Sequence, residues 1–230
     1  MAFFLTTFAT AAPPTLQVSG NHLQTTSGCN VLLKGVNVDG LEFSSTGEGP
    51  SGGNGGNTLA VAQMAVTGWH SNIIRLPLNQ DYWFGCQGAN QSNYQNIISG
   101  IVSYCSSQGV YVILDLHWSG TSSSATAPCG SGWGGATGQQ PMADQNAVTF
   151  WSSVAAAYAN NSAVLFDLYN EPFDSGNDNI SPPVTDTNGY NTWLNGGTLS
   201  GASFSTPGMQ KLLNAVRTTG ANNVCLLGGL

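Results

Sequence analysis

The stretch LFDLYNEPF, residues 165–173, joins an apolar segment of strand length to an Asn-Glu-Pro tripeptide. It belongs to the fourth of five apolar segments with the length of strands, at residues 31–38, 73–76, 111–116, 164–169 and 224–227. Segments with helical periodicity or capping signals lie between them, at residues 58–67, 93–108, 144–157 and 206–219. Regular alternation of apolar strands with helices predicts a parallel sheet that is covered by helices.

Two architectures fit this alternation, a doubly wound open sheet and a (β/α)8 barrel. No Gly-x-Gly-x-x-Gly motif follows the first strand, and the Gly-rich segment at residues 47–56 contains no Lys, so phosphate binding is disfavoured. Polar and aromatic residues instead gather directly after the strands, where a barrel carries its active site. We therefore predict an α/β chain of the (β/α)8 TIM-barrel type, in which residues 13–230 supply about the first five strands and four helices.

The composition narrows the range of ligands. Only 7% of the residues are charged, and four basic against eleven acidic residues give a formal net charge of −7. Nucleic acids and anionic membrane surfaces attract clustered Lys and Arg, so we expect neither as a partner. No apolar run is long enough to span a bilayer, and residues 1–12 resemble the end of a signal peptide without its basic start, or a frayed terminus. A chain with so few charged residues favours an uncharged polar ligand.

Alternation with period two predicts polar faces on the central strands. Asp115 shares a face with His117, and Asp167 shares one with Glu171. Because an unpaired buried charge is very costly, we expect these residues and Arg75 to point into the barrel and pair with one another. A structural role is favoured for Asp115 and Asp167, which lie deeper in their strands, whereas the residues near the strand ends are candidates for function.

The same segments carry a resemblance. LFDLYNEPF at residues 165–173 resembles the Asn-Glu-Pro signature of glycoside hydrolase family 5, the cellulase family. NIIRLPL at residues 72–78 and VILDLHW at residues 112–118 are similar to the motifs on that family's second and third strands. GVNVDGLE at residues 35–42 and VCLLGGL at residues 224–230 look like its first and fifth strands, so the resemblance runs from about residue 16 to residue 230.

The resemblance implies a secreted (β/α)8 enzyme that hydrolyses β-1,4-glucans with retention of configuration. Such an enzyme uses two carboxyl groups roughly 5–5.5 Å apart, one as the nucleophile and one as the acid/base. By the resemblance, Glu171 is the acid/base and Asn170 binds the sugar 2-hydroxyl. His117 would donate hydrogen bonds in the −1 subsite, and Arg75 would orient the nucleophile.

Four aromatic residues after the second and third strands are candidates for sugar binding: Tyr82, Trp83, Trp118 and Trp133. The axial C–H groups of a pyranose ring present an apolar face to an aromatic ring. Packing within the loops is the competing role for each residue, but we expect at least one of the four to contact sugar.

The nucleophile has no match in this chain. Its three Glu residues are Glu42, Glu48 and Glu171, and we expect the first two in a solvated loop after the first strand. The family's nucleophile lies on a seventh strand, which these residues do not contain. We therefore expect a truncated N-terminal part of an endo-β-1,4-glucanase, with little activity alone and a tendency to self-associate through open sheet edges. The alternatives are a glucan-binding fragment without catalysis, and a mannanase or xyloglucanase of the same family.

The cysteines predict a disulfide rather than a metal centre. Cys86 and Cys129 lie in loops and can pair in an oxidising compartment, whereas Cys105 and Cys225 lie in apolar patterns that favour buried thiols. The sequence has no Cys-x-x-Cys and no Cys/His zinc pattern, and its three His are scattered. We accordingly expect no metal and no cofactor.

Overall fold

The computed structural model describes residues 11–47, 58–119, 128–130, 140–173, 187–198 and 205–229 of the 230-residue chain. Its strands are β1 (Leu16–Ser19), β2 (His22–Thr25), β3 (Gly35–Asn37), β4 (Ile73–Asn79), β5 (Tyr111–Trp118), β6 (Val164–Asp167), β7 (Gly197–Thr198), β8 (Ser205–Thr206) and β9 (Cys225–Leu226). Its helices are α1 (Thr58–Thr67), α2 (Gln80–Trp83), α3 (Gln91–Ser107), α4 (Ala147–Tyr158), α5 (Thr187–Asn195) and α6 (Met209–Thr218).

A five-stranded parallel sheet forms the centre of the fold, in the order β3-β4-β5-β6-β9. Each strand lies beside the sheet strand that precedes it in the chain. The order of a doubly wound sheet reverses at a switch point, whereas barrel strands follow one another in a single direction. The predicted architecture of the (β/α)8 type is therefore confirmed, with five parallel strands and their helices present.

The two faces of the central strands differ in polarity. Every second residue is buried in the main core: Ile74, Leu76, Leu78, Val112, Leu114 and Leu116. The helices cover these residues with side chains that include Ile98, Ile101, Phe150 and Trp151. Each such buried apolar side chain stabilises the fold by about 1.5–3 kcal/mol relative to its exposed state. Arg75 and Asp115 alternate with the core residues, so they lie on the opposite face of the sheet.

A second apolar cluster lies at the amino-terminal ends of the strands. Leu16 of the β1–β2 hairpin packs there with Ile73, Tyr111 and Leu165. The Tyr111 hydroxyl also donates a hydrogen bond of 2.8 Å to the carbonyl of Pro14. The hairpin therefore covers the end of the sheet that is remote from the polar strand ends.

The second strand is longer than the sequence pattern predicts. Pro77 was expected to end it, but β4 continues to Asn79. The Arg75 carbonyl points toward the β3 side and accepts a hydrogen bond from the Val38 N–H. Pro77 lies two residues further along β4, so its backbone N points toward the same side. Since β3 ends at Asn37, opposite Arg75, the missing N–H of Pro77 removes no ladder bond.

The described residues contain six helices, whereas the sequence pattern predicts four. The additional ones are α2 and α5, and α5 lies inside a segment predicted to be a long polar loop. With only four residues, α2 is too short to show a helical period. The nine residues of α5, TNGYNTWLN, include only three large apolar ones, and this set is too short to have marked a helix within the polar segment.

A disulfide joins Cys86 to Cys129, the pairing that the sequence left open as possible. Cys105 is a buried free thiol and Cys225 a partly buried one, while Cys29 is exposed. In the described part of the chain, no helix combines the length and the apolar character that crossing a membrane would require.

Candidate functional site

Arg75 is the centre of a polar cluster at the carboxyl ends of four strands, β3 to β6. Its Nη2 lies 3.0 Å from Oδ2 of both Asp115 and Asp167. The same nitrogen donates to the Asn170 side-chain oxygen at 2.8 Å, and Nε donates to Asp167 at 3.2 Å. Asn37 at the end of β3 accepts a longer bond of 3.5 Å from Nη1. The guanidinium of Arg75 therefore links side chains of β3, β5 and β6 to its own strand, β4.

Asp115 is fully buried and also accepts a hydrogen bond from His117. The distance from His117 Nδ1 to Asp115 Oδ2 is 2.6 Å. Burial raises the pKa of Asp115, and although His117 and Arg75 oppose this rise, the balance stays on the raised side. Burial, followed by the charge of Asp115, raises the pKa of Asp167 to about 6, against the effect of Arg75. Asp115 and Asp167 thus share the positive charge of Arg75 in a poorly solvated environment.

The cluster determines how Asn170 is oriented. Its backbone N–H donates to the Leu116 carbonyl at 3.0 Å, and its side-chain oxygen accepts from Arg75. Its amide nitrogen lies 3.4 Å from His117 Nε2. A proton on Nδ1, directed at the Asp115 carboxyl group, makes Nε2 the acceptor in this contact. The network therefore couples the tautomer of His117 to the orientation of the Asn170 amide.

Glu171 follows directly and is exposed to solvent. Its φ of 42° lies in the left-handed region, which costs a non-glycine residue about 1–3 kcal/mol. Hydrogen bonds on both sides hold this conformation, from Asn170 N–H to Leu116 and from Phe173 N–H to the Pro141 carbonyl at 2.9 Å. The strain therefore presents the carboxyl group of Glu171 at the strand ends, beside the Arg75 cluster.

The predicted aromatic residues that the structure describes differ in their exposure and packing. Trp118 is half-buried, and the Phe43 ring packs against it edge to face with centroids 5.0 Å apart. The Tyr82 hydroxyl donates to the Phe43 carbonyl at 3.1 Å. Phe43, 45% exposed, was not among the predicted residues, because it stands alone in the polar segment after the first strand. These three rings form an aromatic surface next to the Arg75 cluster.

The prediction for Trp83 is wrong. Its side chain is only 3% exposed, packs against Phe150 with centroids 6.0 Å apart and donates Nε1–H to the Ser153 hydroxyl at 3.0 Å. No free ring face is left to stack on a sugar. Trp133, the remaining candidate, lies outside the described residues.

Glu42 was expected in a solvated loop, and this expectation is also wrong. The residue is 2% exposed, and Oε2 accepts the N–H of Gly40 at 2.8 Å. Burial raises the pKa of Glu42, while hydrogen bonds from backbone N–H groups and the nearby His117 lower it. The Asn79 side chain donates to the Glu42 carbonyl at 3.1 Å and so fixes this segment to the end of β4. Glu48 lies outside the described residues.

A cluster of Asp81, Cys86 and Cys129 has donor atoms within 4.8 Å of one another. It does not suit a metal ion, because the two sulfur atoms are joined in the disulfide. The carboxylate of Asp81 accepts hydrogen bonds from Gly130 N–H at 2.6 Å and from the Gln87 side chain. The cluster therefore joins the loop that contains Cys86 to the loop that contains Cys129.

A cavity of about 260 Å³ lies at the amino-terminal end of the sheet, between the hairpin and the end of α4. Thr15, Asn161 and Asn223 are among its lining residues. Asn223 Nδ2 already donates to the carbonyls of Asn161 and Val164, so this amide is used in joining the surrounding backbone. The cavity is remote from Arg75 and Glu171, and we assign it to packing below the hairpin.

Comparison with known proteins gives results that agree with this geometry. A profile described as "Cellulase (glycosyl hydrolase family 5)" matches residues 26–230. The chain is 25% identical over 212 residues to a manganese dependent endoglucanase, Eg5A, of Phanerodontia chrysosporium, covering 88% of this chain and 45% of that protein. It is 26% identical over 174 residues to endoglucanase EG-II of Hypocrea jecorina, covering 65% of this chain and 37% of that protein.

The structural comparison covers a similar share. The β-glucanase SdGluc5_26A of Saccharophagus degradans, solved in complex with cellotetraose, superposes with a TM-score of 0.60 at 20% identity. The match covers 96% of this chain and 55% of that one. At this identity the match shows the fold alone. The chain spans less than half the length of both curated relatives and about half of this structure.

Proposed function

The chain belongs to the cellulase family, glycosyl hydrolase family 5, and from this premise we propose that it forms the acid/base half of an endo-β-1,4-glucanase site. The observation that carries the proposal is Glu171 in its strained conformation, adjacent to Asn170 and the Arg75 cluster. An exposed carboxyl group on a backbone that is held in place can both donate and accept a proton at one point of a bound substrate.

In the proposed reaction, Glu171 protonates the oxygen of the leaving sugar and later removes a proton from water. A retaining mechanism needs a second carboxylate that attacks the anomeric carbon. The relatives are about twice as long as the matched region, so the complete enzyme would take this nucleophile from the part that these residues do not match. Arg75 would then lie beside the nucleophile and favour its ionised form.

The Asn170 amide is the group proposed to bind the sugar 2-hydroxyl. Because the Asn170 oxygen accepts from Arg75, the NH₂ group is the part of this side chain that would donate to the sugar. With a proton on Nδ1 directed at Asp115, His117 would accept a sugar hydroxyl at Nε2 in place of its contact with the Asn170 amide. This acceptor role differs from the donor role that the resemblance implies for His117.

A neutral β-glucan is the proposed substrate. The low charge of the chain suits an uncharged polymer, and the rings of Phe43, Tyr82 and Trp118 offer an aromatic surface beside the cluster. We also propose that the protein is secreted. The disulfide between Cys86 and Cys129 is stable in an oxidising compartment, and a polysaccharide must be cut outside the cell.

Chemical rescue can test the role of Glu171 without the natural nucleophile. We would add formate, a small carboxylate, to the 230-residue protein and measure phenol release from phenyl β-cellobioside. Phenol is a poor leaving group that needs a proton, so Glu171→Gln should lower formate-dependent release about 100-fold. Release of 2,4-dinitrophenol, which needs no proton, should change little. An equal loss with both leaving groups would contradict an acid/base role for Glu171.

A glucan-binding fragment without catalysis is the second candidate, favoured by the aromatic surface and by the share of its relatives that the chain spans. It would bind cellotetraose but show no formate-dependent release from either substrate. Replacing Arg75, His117, Asn170 and Glu171 together by Ala would then leave binding unchanged. The proposed half-site instead predicts that the fourfold variant loses cellotetraose binding.

A further inference from the structure

Asp81 in α2 is a fully buried acidic residue that lies beside the disulfide between Cys86 and Cys129. A carboxylate oxygen of Asp81 and the two sulfur atoms lie within 4.8 Å of one another. In the oxidised protein the sulfur atoms are bonded to each other and do not ligate a metal ion. Reduction would turn the same three residues into a carboxylate and two thiols, which are a different set of ligands.

Hydrogen bonds hold the two cysteines beside Asp81 independently of the disulfide. The Gly130 N–H donates to the Asp81 carboxylate at 2.6 Å, and the Asn146 side chain donates to the Cys129 carbonyl at 2.6 Å. On the other side, the Cys86 N–H donates to the backbone carbonyl of Asp81 at 2.8 Å. These bonds do not involve sulfur, so we expect both thiols to stay next to Asp81 when the disulfide is cut.

The spacing of the three ligand atoms suits a tetrahedral metal ion. Zn²⁺ binds thiolate sulfur at about 2.3 Å and carboxylate oxygen at about 2.0–2.2 Å, which places neighbouring ligand atoms about 3.5–3.8 Å apart. The three atoms already lie within 4.8 Å of one another, so small shifts of the side chains are sufficient. Thiolate ligands favour Zn²⁺ over the hard ions Mg²⁺ and Ca²⁺. Cys129 is partly exposed, which leaves room for water as the fourth ligand.

The surroundings of Asp81 supply the outer contacts that metal-binding carboxylates commonly have. The Gly130 N–H and the Gln87 side chain both donate to this carboxylate and fix its direction. Two thiolates next to Asp81 would place three negative charges in a poorly solvated environment, which is very costly without a cation. A divalent ion reduces the summed charge to −1, so the thiols should lose their protons as the metal binds.

We propose that the reduced protein binds Zn²⁺ through Asp81, Cys86 and Cys129. The metal would replace the disulfide as the link between the connections that follow β4 and β5. With a phosphine as the reductant, the S–S bond breaks, the phosphine takes the oxygen of one water molecule, and the two protons of that water go to the sulfur atoms. Both protons leave again when the two thiolates bind the metal. This inference does not depend on the proposed glucanase function.

Co²⁺ can serve as a visible probe, because Zn²⁺ has no absorption bands of its own. We would reduce the 230-residue protein with tris(2-carboxyethyl)phosphine without air and titrate it with Co²⁺. The reduced wild type should show the visible bands of tetrahedral Co²⁺ and the ultraviolet bands of thiolate bound to Co²⁺. Zn²⁺ should then displace the Co²⁺ and remove both sets of bands. The oxidised wild type is the matched control and should show neither.

Three variants identify the ligands. Cys86→Ser/Cys129→Ser should lose the thiolate bands, and Asp81→Asn should weaken Co²⁺ binding at least about tenfold. Cys29→Ser, at an exposed free thiol, should bind Co²⁺ as the wild type does. Circular dichroism would show whether the reduced wild type stays folded.

Several results would overturn the proposal. They are the absence of thiolate bands after reduction, equal bands in the oxidised protein, loss of the bands in Cys29→Ser, and unchanged affinity in Asp81→Asn. Unfolding of the wild type on reduction would also overturn it, since the hydrogen bonds would then not hold the two loops together. If Asp81→Asn does not fold, the oxidised wild type and the double Ser variant still decide the question.

Discussion

At the scale of single residues, Arg75 holds the candidate site together. Its one positive charge contacts Asp115 and Asp167, and it also orients Asn170. Removing it would leave two poorly solvated carboxyl groups facing each other, which strongly favours protonation of one of them. Arg75 therefore determines the charge state of the cluster as well as the direction of the Asn170 amide.

Glu171 offers a direct test of backbone strain at the site. Its φ of 42° is easily adopted by Gly but costs an Ala residue about 1 kcal/mol. We predict that Glu171→Gly unfolds with a free energy about 1 kcal/mol higher than Glu171→Ala, as measured by urea denaturation. At an ordinary helical position such as Ser103 in α3, the order should be reversed, with Gly less stable than Ala. If Gly is the less stable substitution at both positions, the proposed strain at Glu171 does not exist.

Alternation with period two was sufficient to bring Arg75, Asp115 and His117 to one face, because that rule holds wherever a strand is regular. It could not predict Trp83. The four-residue helix α2 begins at Gln80 and turns successive side chains by about 100°, so Tyr82 reaches Phe43 while Trp83 enters the core. Phe43 could not be predicted either, because it stands alone in the polar segment after the first strand.

At the scale of elements, the connections after β4, β5 and β6 position the candidate site. The connections after β4 and β5 are joined by the Cys86–Cys129 disulfide and by Asp81, which accepts the N–H of Gly130. The connection after β6 contains α5, which the sequence pattern did not reveal because its three large apolar residues span less than two helical turns. The elements that could be predicted from the sequence are the strands of the sheet and the helices that cover it, because their apolar patterns extend over more residues.

The disulfide should contribute measurably to stability. It links positions 43 residues apart, and restricting an unfolded loop of that size is worth about 2–4 kcal/mol. We predict that the double variant Cys86→Ser/Cys129→Ser unfolds with a free energy lower by that amount, as measured by urea denaturation. Dithiothreitol should destabilise the wild type and leave the variant unchanged. Cys29→Ser, at an exposed free thiol, is the matched control and should behave like the wild type; if it loses as much stability, the disulfide is not the cause.

At the scale of the whole molecule, the polar end of the sheet is rich in carboxyl groups. Asp115 and Asp167 contact Arg75, Glu42 interacts electrostatically with His117, and Glu171 with Asp115, in a chain that has eleven acidic and four basic residues. Within the described residues, β3 and β9 have a paired neighbour on one side only. Because Asp115 and Asp167 share one cation in a poorly solvated place, the stability of this polypeptide should depend on how the acidic cluster is protonated.

The raised pKa of Asp167 sets the direction of this dependence. Its folded value of about 6 lies above the ordinary value of 3.8, so between those pH values the folded state binds more protons than the unfolded state. The unfolding free energy of the wild type, relative to Asp167→Asn, should therefore fall by about 1–3 kcal/mol between pH 4 and pH 7. Urea denaturation across this range measures the difference, and the ¹³C shift of the Asp167 carboxyl group reports its titration directly. If the difference instead rose with pH, Arg75 would outweigh burial and the pKa of Asp167 would lie below its ordinary value.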